Sequence, residues 1–352
     1  MNNTAKQKTI IGVDLGDRKH AICVTDKDGN ILKEYFITNT PHSLKKLAQE
    51  YPESLVAIEV GTHSPWISRL LTDLGCEVIV ANARKLRAIY TNERKCDELD
   101  ARMLAKIARL DPELLHPIQH GSEECQRDMA MIRLRDSLTR QRVNLILSIR
   151  ATLKSLGMRL KASSSAAFAD AAREQLKEDV ETLCLIHPVL RVIDELTLQI
   201  KDLNKRINQT ISQKYQEAER LQKIPGIGPI TALSFVLHIE KAERFENIRD
   251  IGAYLGLVPR RDQSGKIDKQ LPISKTGDKY LRTLLVQAAQ YILGHFGPDC
   301  DLRRKGLELA AKGGRAAKRK AVIATARKLS VVMLSMWQNN SDYEPLKKNK
   351  AA

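Results

Sequence analysis

Four acidic residues in three short segments have the types and placing for metal chemistry. Asp14 closes the β-branched run Thr9 to Leu15 just before Gly16, and Glu59 closes the apolar run Leu55 to Val60 just before Gly61. Carboxylates at the ends of two strands converge when the strands are neighbours in a sheet. Asp97 and Asp100 stand three apart on the stretch Asp97 to Arg109, which reads as a helix, so both point to one face. Four acids facing one another repel, and hard divalent ions with oxygen ligands offset that repulsion, which implies Mg²⁺, with Mn²⁺ as a substitute. Two such ions roughly 4 Å apart would activate an attacking oxygen and stabilise a leaving oxygen at a phosphodiester. Each acid alone has an ordinary explanation: a strand-end Asp is commonly a turn residue, and Asp97 can cap a helix. The joint pattern carries the expectation of a metal site at Asp14, Glu59, Asp97 and Asp100.

Strands and helices must place these acids. The runs Thr9 to Leu15, His20 to Thr25 and Ile31 to Thr38 are strand-like and separated by turn residues, so three antiparallel strands are expected first. A helix from Pro41, a buried strand Leu55 to Val60, a helix Trp66 to Leu74 and a strand Glu77 to Val80 then imply a parallel continuation. That order is the signature of an RNase H-like fold and is shared with actin-like sugar kinases. From about Gln126 the pattern changes. Met131, Leu134, Leu138, Leu145, Ile149 and Leu156, then Ile193, Leu196, Ile200, Leu203, Ile207 and Ile211, recur at coiled-coil spacing. They predict a helical hairpin, either a spacer and self-association surface or an ordinary antiparallel pair. Lys161 to Ala172 reads as a loop or weak helix, and Pro188 as an interruption or restart of the second arm. From about Leu221 helices are expected to run to Trp337. The anticipated domains are 1–125, 126–220 and 221–340, with a polar tail at 341–352.

The chain of 352 residues is long enough for two or three domains, and its 4% aromatic content with abundant Leu, Ala, Lys and Arg favours helix. A formal charge of +16 points to a polyanion partner, with nucleic acid first. Six scattered cysteines, with no CxxC pair, fit reduced thiols in the cytoplasm, and no apolar run is long enough to span a membrane. The segment Ile224-Pro225-Gly226-Ile227-Gly228-Pro229 reads as a helix-hairpin-helix, in which glycines admit a phosphate to backbone N–H groups; an αα turn without a ligand is the plainer alternative. Ser264, beside Gly265 and near Arg260, Arg261 and Lys266, is by spacing alone an unremarkable polar turn. Lys275 and Arg282 flank a Lys-x-Gly step further on. A stripe including Arg315, Lys318, Arg319 and Lys320 suits a phosphate track, or a solvated helix face.

The segments Gly12-Val13-Asp14-Leu15-Gly16, Ile58-Glu59-Val60-Gly61 and Lys95-Cys96-Asp97-Glu98-Leu99-Asp100 resemble the DEDD blocks of the IS110 family of bacterial insertion-sequence transposases, relatives of the Piv-type DNA invertases. Cys96 stands where Thr or Ser is usual, and the resemblance covers nearly the whole chain. It implies an N-terminal domain similar to the RuvC Holliday-junction resolvase, with Asp14, Glu59, Asp97 and Asp100 as metal ligands. It also implies that Ser264, in the matching Ser-Gly motif, is the nucleophile that joins DNA covalently; Ser274 is the competitor set aside. The same resemblance implies double-stranded DNA at element ends and target as substrate and a structured bridge RNA as guide. Dimers or a tetramer, with the acids and Ser264 in one composite site, and a bacterial, nucleoid-associated location follow from it too.

Three rival readings differ in what they require. An actin-like ATPase or kinase would use Gly12 to Gly16 as a phosphate loop, but needs a second Gly-rich loop that the sequence lacks. A purely structural nucleic-acid-binding protein leaves the four acids unexplained. A junction resolvase without covalent chemistry would form no protein–DNA adduct.

Overall fold

The computed structural model describes residues 9–82, 85, 96–264 and 267–346, and the chain divides into two compact units, residues 1–121 and 122–352.

The first unit is built on β1 (Ile10–Leu15), β2 (Lys19–Thr25), β3 (Ile31–Thr38), β4 (Leu55–Glu59) and β5 (Glu77–Ala81). They form one mixed sheet in the order β3-β2-β1-β4-β5, antiparallel from β3 to β1 and parallel from β1 to β5. The β-branched runs that announced strands in the sequence are these strands, because a central strand is buried on both faces. One face carries Ile11, Val13, Ile22, Val56 and Ile58 against α1 (Pro41–Glu50) and α2 (Ser64–Asp73). Thr40 caps α1 by accepting from the Ser43 amide, and Pro41 occupies the first turn, where no N–H is needed. The other face carries Ile10, Ala21, Cys23, Leu55 and Ala57 against α3 (Asp97–Leu110). Small residues on both sides of that contact let the helix lie close to the sheet.

The second unit contains a pair of long helices, α4 (Glu123–Ser155) and α6 (Val180–Lys214), bridged by α5 (Phe168–Gln175). Lys214 pairs with Glu124, Arg135 Nε donates to Asn204, and Arg142 to Thr197, so the two run antiparallel. Ile146, Ile149, Leu153, Phe168, Leu190 and Ile193 close the bridged end. Pro188 lies inside α6, which continues through it, in contrast to the expected interruption or restart. Proline removes one hydrogen bond near the start of a 35-residue helix, and the buried Ile186, Leu190 and Ile193 around it hold the helical course.

The remaining helices are α7 (Gln216–Leu221), α8 (Pro229–Ile239), α9 (Ile251–Tyr254), α10 (Lys279–Leu293), α11 (Asp301–Ala311) and α12 (Gly314–Gln338). They share one core, with Ile132, Ile207 and Ile211 of the long helices packed into it. The sequence pattern predicts helices throughout this segment. Instead, β6 (Pro259–Ser264) and β7 (Ile267–Ile273) form an antiparallel hairpin. All six residues of β6 are exposed, so no buried face imposes the apolar alternation that identifies a strand. All six cysteines are free, and among the described residues no helix is long and apolar enough to cross a membrane.

Candidate active site and nucleic-acid surface

The parallel register of β1 with β4 sets Val13 opposite Ile58, so the next residues, Asp14 and Glu59, lie level on adjacent strands. Both fall on the sheet face of Ile10, Ala57 and Leu55, which α3 covers, and both are half-exposed. The direction of α3 follows from three contacts. Its last turn places Arg109 beside Gly29, in the turn after β2, at the end of the sheet where Thr25 pairs with Ile10. Its middle lies on Gly12, where an added Cβ would be 1.9 Å from the Ala101 carbonyl oxygen and 2.6 Å from the Ala105 amide nitrogen. Its first turn therefore reaches past Gly12 towards the Asp14 end, carrying Asp97 and Asp100. Arg102 fixes the helix sideways by a bidentate pair with Glu34 of β3, both contacts 2.8 Å, and that guanidinium holds the Glu34 carboxyl below its usual range.

The four acids thus share one face and one end of the sheet. They are aligned rather than gathered: among the described residues no group of three or more His, Cys, Asp or Glu stands close enough to hold a metal ion. Glu59, Asp97 and Asp100 form no salt bridge among the described residues. The carboxylate oxygens of Glu59, Asp97 and Asp100 are hard donors, which fit a hard divalent cation rather than a soft one.

The loops that follow the two strand-end acids are braced. Asn39 Nδ2 donates to the Asp17 carbonyl at 3.0 Å, securing the turn after Asp14. Ser64 Oγ accepts from the Gly61 amide at 3.0 Å and meets His120 Nε2 at 2.9 Å, securing the turn after Glu59. His63 Nε2 stands 3.3 Å from Asp17 Oδ1. Beneath them His20 is fully buried with neither ring nitrogen bonded; burial pushes its imidazolium below the usual value and outweighs the neighbouring Asn39 side chain, which raises it. None of Gly12, Asn39, Ser64 or Arg102 was singled out from sequence. Only Gly12 left a signal, a glycine inside a strand, which marks a close backbone approach.

In the second unit Ser264 is the last residue of β6, exposed, and paired in register with Ile267. Gly265 and Lys266 lie outside the described residues. Arg260 is exposed, while Arg261 is held by Asp268 through two 2.7 Å contacts. Lys275 is exposed and adopts a left-handed backbone, φ 55°, in a loop locked against the turn after α9. There Gly277 has no room for a Cβ, which would lie 2.2 Å from the Tyr254 carbonyl oxygen. Arg282 works inside this lock: Nη1 donates to the carbonyls of Leu255 at 3.1 Å and Thr276 at 2.6 Å. Gly226 has φ 82° and lies against Tyr291 and Ala288, whereas Gly228 opens α8 with free space around it and no side-chain cap. Arg315, Lys318, Arg319 and Lys320 are exposed along α12 and form no salt bridge among the described residues.

These features match known proteins in two segments. A DEDD-type IS110 transposase model matches residues 11–158, which include all four acids. A model described as the IS116/IS110/IS902 transposase family matches residues 218–302, which include Ser264. Both segments define a transposase, an enzyme acting on DNA. The chain belongs to the IS110 family of insertion-sequence transposases. It is 25% identical over 344 residues to a transposase for insertion sequence element IS1111A of Coxiella burnetii, covering 96% of this chain and 92% of that one. It is 29% identical over 286 residues to the transposase for element IS1328 of Yersinia enterocolitica, covering 80% and 83%. A pilin gene-inverting protein of Moraxella lacunata is 30% identical over 152 residues, covering 43% and 46%.

Proposed function

We propose that this transposase cleaves and rejoins DNA strands with Asp14, Glu59, Asp97 and Asp100 as ligands of divalent metal and Ser264 as the nucleophile. The observation that carries the acid assignment is the β1 to β4 register, which levels Asp14 with Glu59 under the first turn of α3. This arrangement is the one expected of an RNase H-like, RuvC-like domain. Asp97 is exposed and Asp100 half-exposed, so their side chains have room to change rotamer. When bound, Mg²⁺ supplies charge stabilisation at the phosphate and lowers the barrier for the attacking and leaving oxygens.

The chain's own chemistry balances in two steps. Ser264 Oγ gives up its proton and attacks phosphorus; the bond to the 3′ oxygen breaks, leaving a free 3′-hydroxyl and a 5′-phosphoserine. A 3′-hydroxyl from another strand then attacks that phosphorus, restoring a phosphodiester and returning Ser264 to its hydroxyl form. Exposure at the end of β6 gives Ser264 the access this needs. The net charge of +16 supports double-stranded DNA as substrate and also suits a bridge RNA as guide. Apolar side chains exposed on the long helices, including Leu134, Leu147, Leu185 and Leu198, support assembly into dimers or a tetramer.

The test is cleavage of element-end DNA with the element's noncoding RNA and Mg²⁺. Wild type yields a protein–DNA adduct that maps to Ser264, while Ser264→Ala and Asp14→Asn yield neither adduct nor product. Full recombination by Ser264→Ala overturns the covalent step and leaves a plain junction resolvase. Activity untouched by EDTA overturns the metal assignment.

A further inference from the structure

The base of the β6–β7 hairpin and the basic face of α12 enclose a cavity of about 860 Å³ in the second unit. Its floor is apolar, formed by Leu257, Leu271, Ile273, Ile323 and Val331. Its rim carries Arg249, Arg319, Lys320, Arg327 and Lys328, and among the described residues no acidic one lines it. The α12 residues recur three and four apart, so one helix face supplies both cations and floor. All five cations are exposed, and none forms a salt bridge among the described residues.

Two demands must be met by one occupant. Five like charges around one opening call for several phosphates. The floor calls for a flat apolar body, which duplex DNA does not offer, because its bases are stacked inside and its backbone is polar. A nucleotide turned out of its stack meets both demands: its base lies on the apolar floor or against a guanidinium plane, and its phosphates meet the rim. Among the described residues that line it there is no Asp, Glu, Asn, Gln, Ser or Thr side chain to accept a hydrogen bond from a 2′-hydroxyl. That chemistry asks for nothing beyond deoxyribose. Pro259 and Ile273, at the open end of the hairpin, belong to the same lining, so a strand held there lies beside the strand that leads to Ser264.

We infer that this cavity binds an unstacked nucleotide of single-stranded DNA, next to the hairpin that carries Ser264. The inference rests on the proposed DNA-joining function and deepens it by naming the strand that the second unit holds.

The experiment measures binding by fluorescence anisotropy with intact protein in EDTA, where no cleavage is needed. Three labelled probes of roughly 20 nucleotides are compared: oligodeoxyuridylate, the same backbone with abasic sites, and oligouridylate. Wild type should bind oligodeoxyuridylate about tenfold more tightly than the abasic strand. The double variant Leu271→Ser/Ile323→Ser should bring that preference close to one while leaving abasic binding unchanged. Arg319→Gln/Lys320→Gln should weaken both strands alike and lower the slope of log affinity against log salt by about 1.4. As these two side chains are exposed, that variant keeps the test open if the floor variant fails to fold. Equal binding of the abasic strand by wild type overturns the inference, as does a preference that survives the floor variant or tighter binding of oligouridylate. If the floor variant alters self-association and not DNA binding, the cavity belongs to a second copy of the chain and the inference is again wrong. Loss of cleavage with base preference intact counts against the proposed function alone, and the reverse outcome counts against the cavity alone.

Discussion

Gly12→Ala perturbs the contact on which the alignment of the four acids depends. The added methyl would lie 1.9 Å from the Ala101 carbonyl oxygen and 2.6 Å from the Ala105 amide nitrogen. Real methyl carbons stay at least 3.0 Å from such atoms, so α3 must move out by more than about 1 Å, and both obstacles are backbone with no side chain to swing away. Overpacking of this kind costs about 1–3 kcal/mol, here against the contacts of the buried Ala101, Leu104, Ala105 and Ala108. The same movement carries Asp97 and Asp100 away from Asp14 and Glu59, and a displacement of about 1 Å at reacting groups costs on the order of 100-fold in rate. Urea denaturation should therefore show a lower midpoint, and strand cleavage should fall about 100-fold even where the protein is fully folded. Gly61→Ala is the matched control: nothing lies within 4 Å of its added Cβ, so stability should change by less than about 0.5 kcal/mol. Wild-type stability and cleavage in Gly12→Ala would refute the placement of α3 on β1.

Three further outcomes follow from individual side chains. Asp278 caps α10 through the Leu281 amide and pairs with Arg133 at 2.6 Å; burial pushes its carboxyl up, but these partners together hold it below the usual value. A depressed folded value contributes stability above the unfolded value that is lost as pH falls through the folded one, so Asp278→Asn should cost about 1–2 kcal/mol at pH 7 and flatten the acid limb below about pH 4 in urea titrations. For His20 the folded value lies below the ordinary imidazole value of 6.5, so the unfolded chain takes up the proton first and stability falls as pH drops below 6.5; His20→Leu should remove that loss between pH 7 and 5 by thermal denaturation. Pro188→Ala should stabilise α6 by about 1–3 kcal/mol in the same denaturation assay, because it restores an amide donor inside a continuous helix.

Much of the first unit was legible because β1, β2 and β4 are largely buried and so are written as apolar, β-branched runs, while the exposed β3 was marked by its alternation and the Asp28-Gly29-Asn30 turn before it. Asp14 and Glu59 were legible as strand-end acids for the same reason. That Gly12 would be the seat of α3 was not, since the helix that covers it begins 85 residues later and only the fold brings them together. The β6–β7 hairpin was missed because Pro259 to Ser264 bury nothing, and strand pattern is a record of burial. Arg282 shows the opposite limit. Its type and setting suggested DNA contact, yet its guanidinium is committed to the Leu255 and Thr276 carbonyls, a use that charge counting cannot separate from phosphate binding. Pro188 signalled a break that tertiary packing overrides.

Metal uptake by the acids is open to direct measurement without knowledge of the element's DNA. Electron paramagnetic resonance of free Mn²⁺, titrated against intact wild type and Asp97→Asn/Asp100→Asn, reports binding at the aligned carboxylates. The acid assignment predicts saturable Mn²⁺ uptake by wild type and at least about tenfold weaker uptake by the double variant, with its helical content unchanged. Equal uptake by both proteins would contradict it.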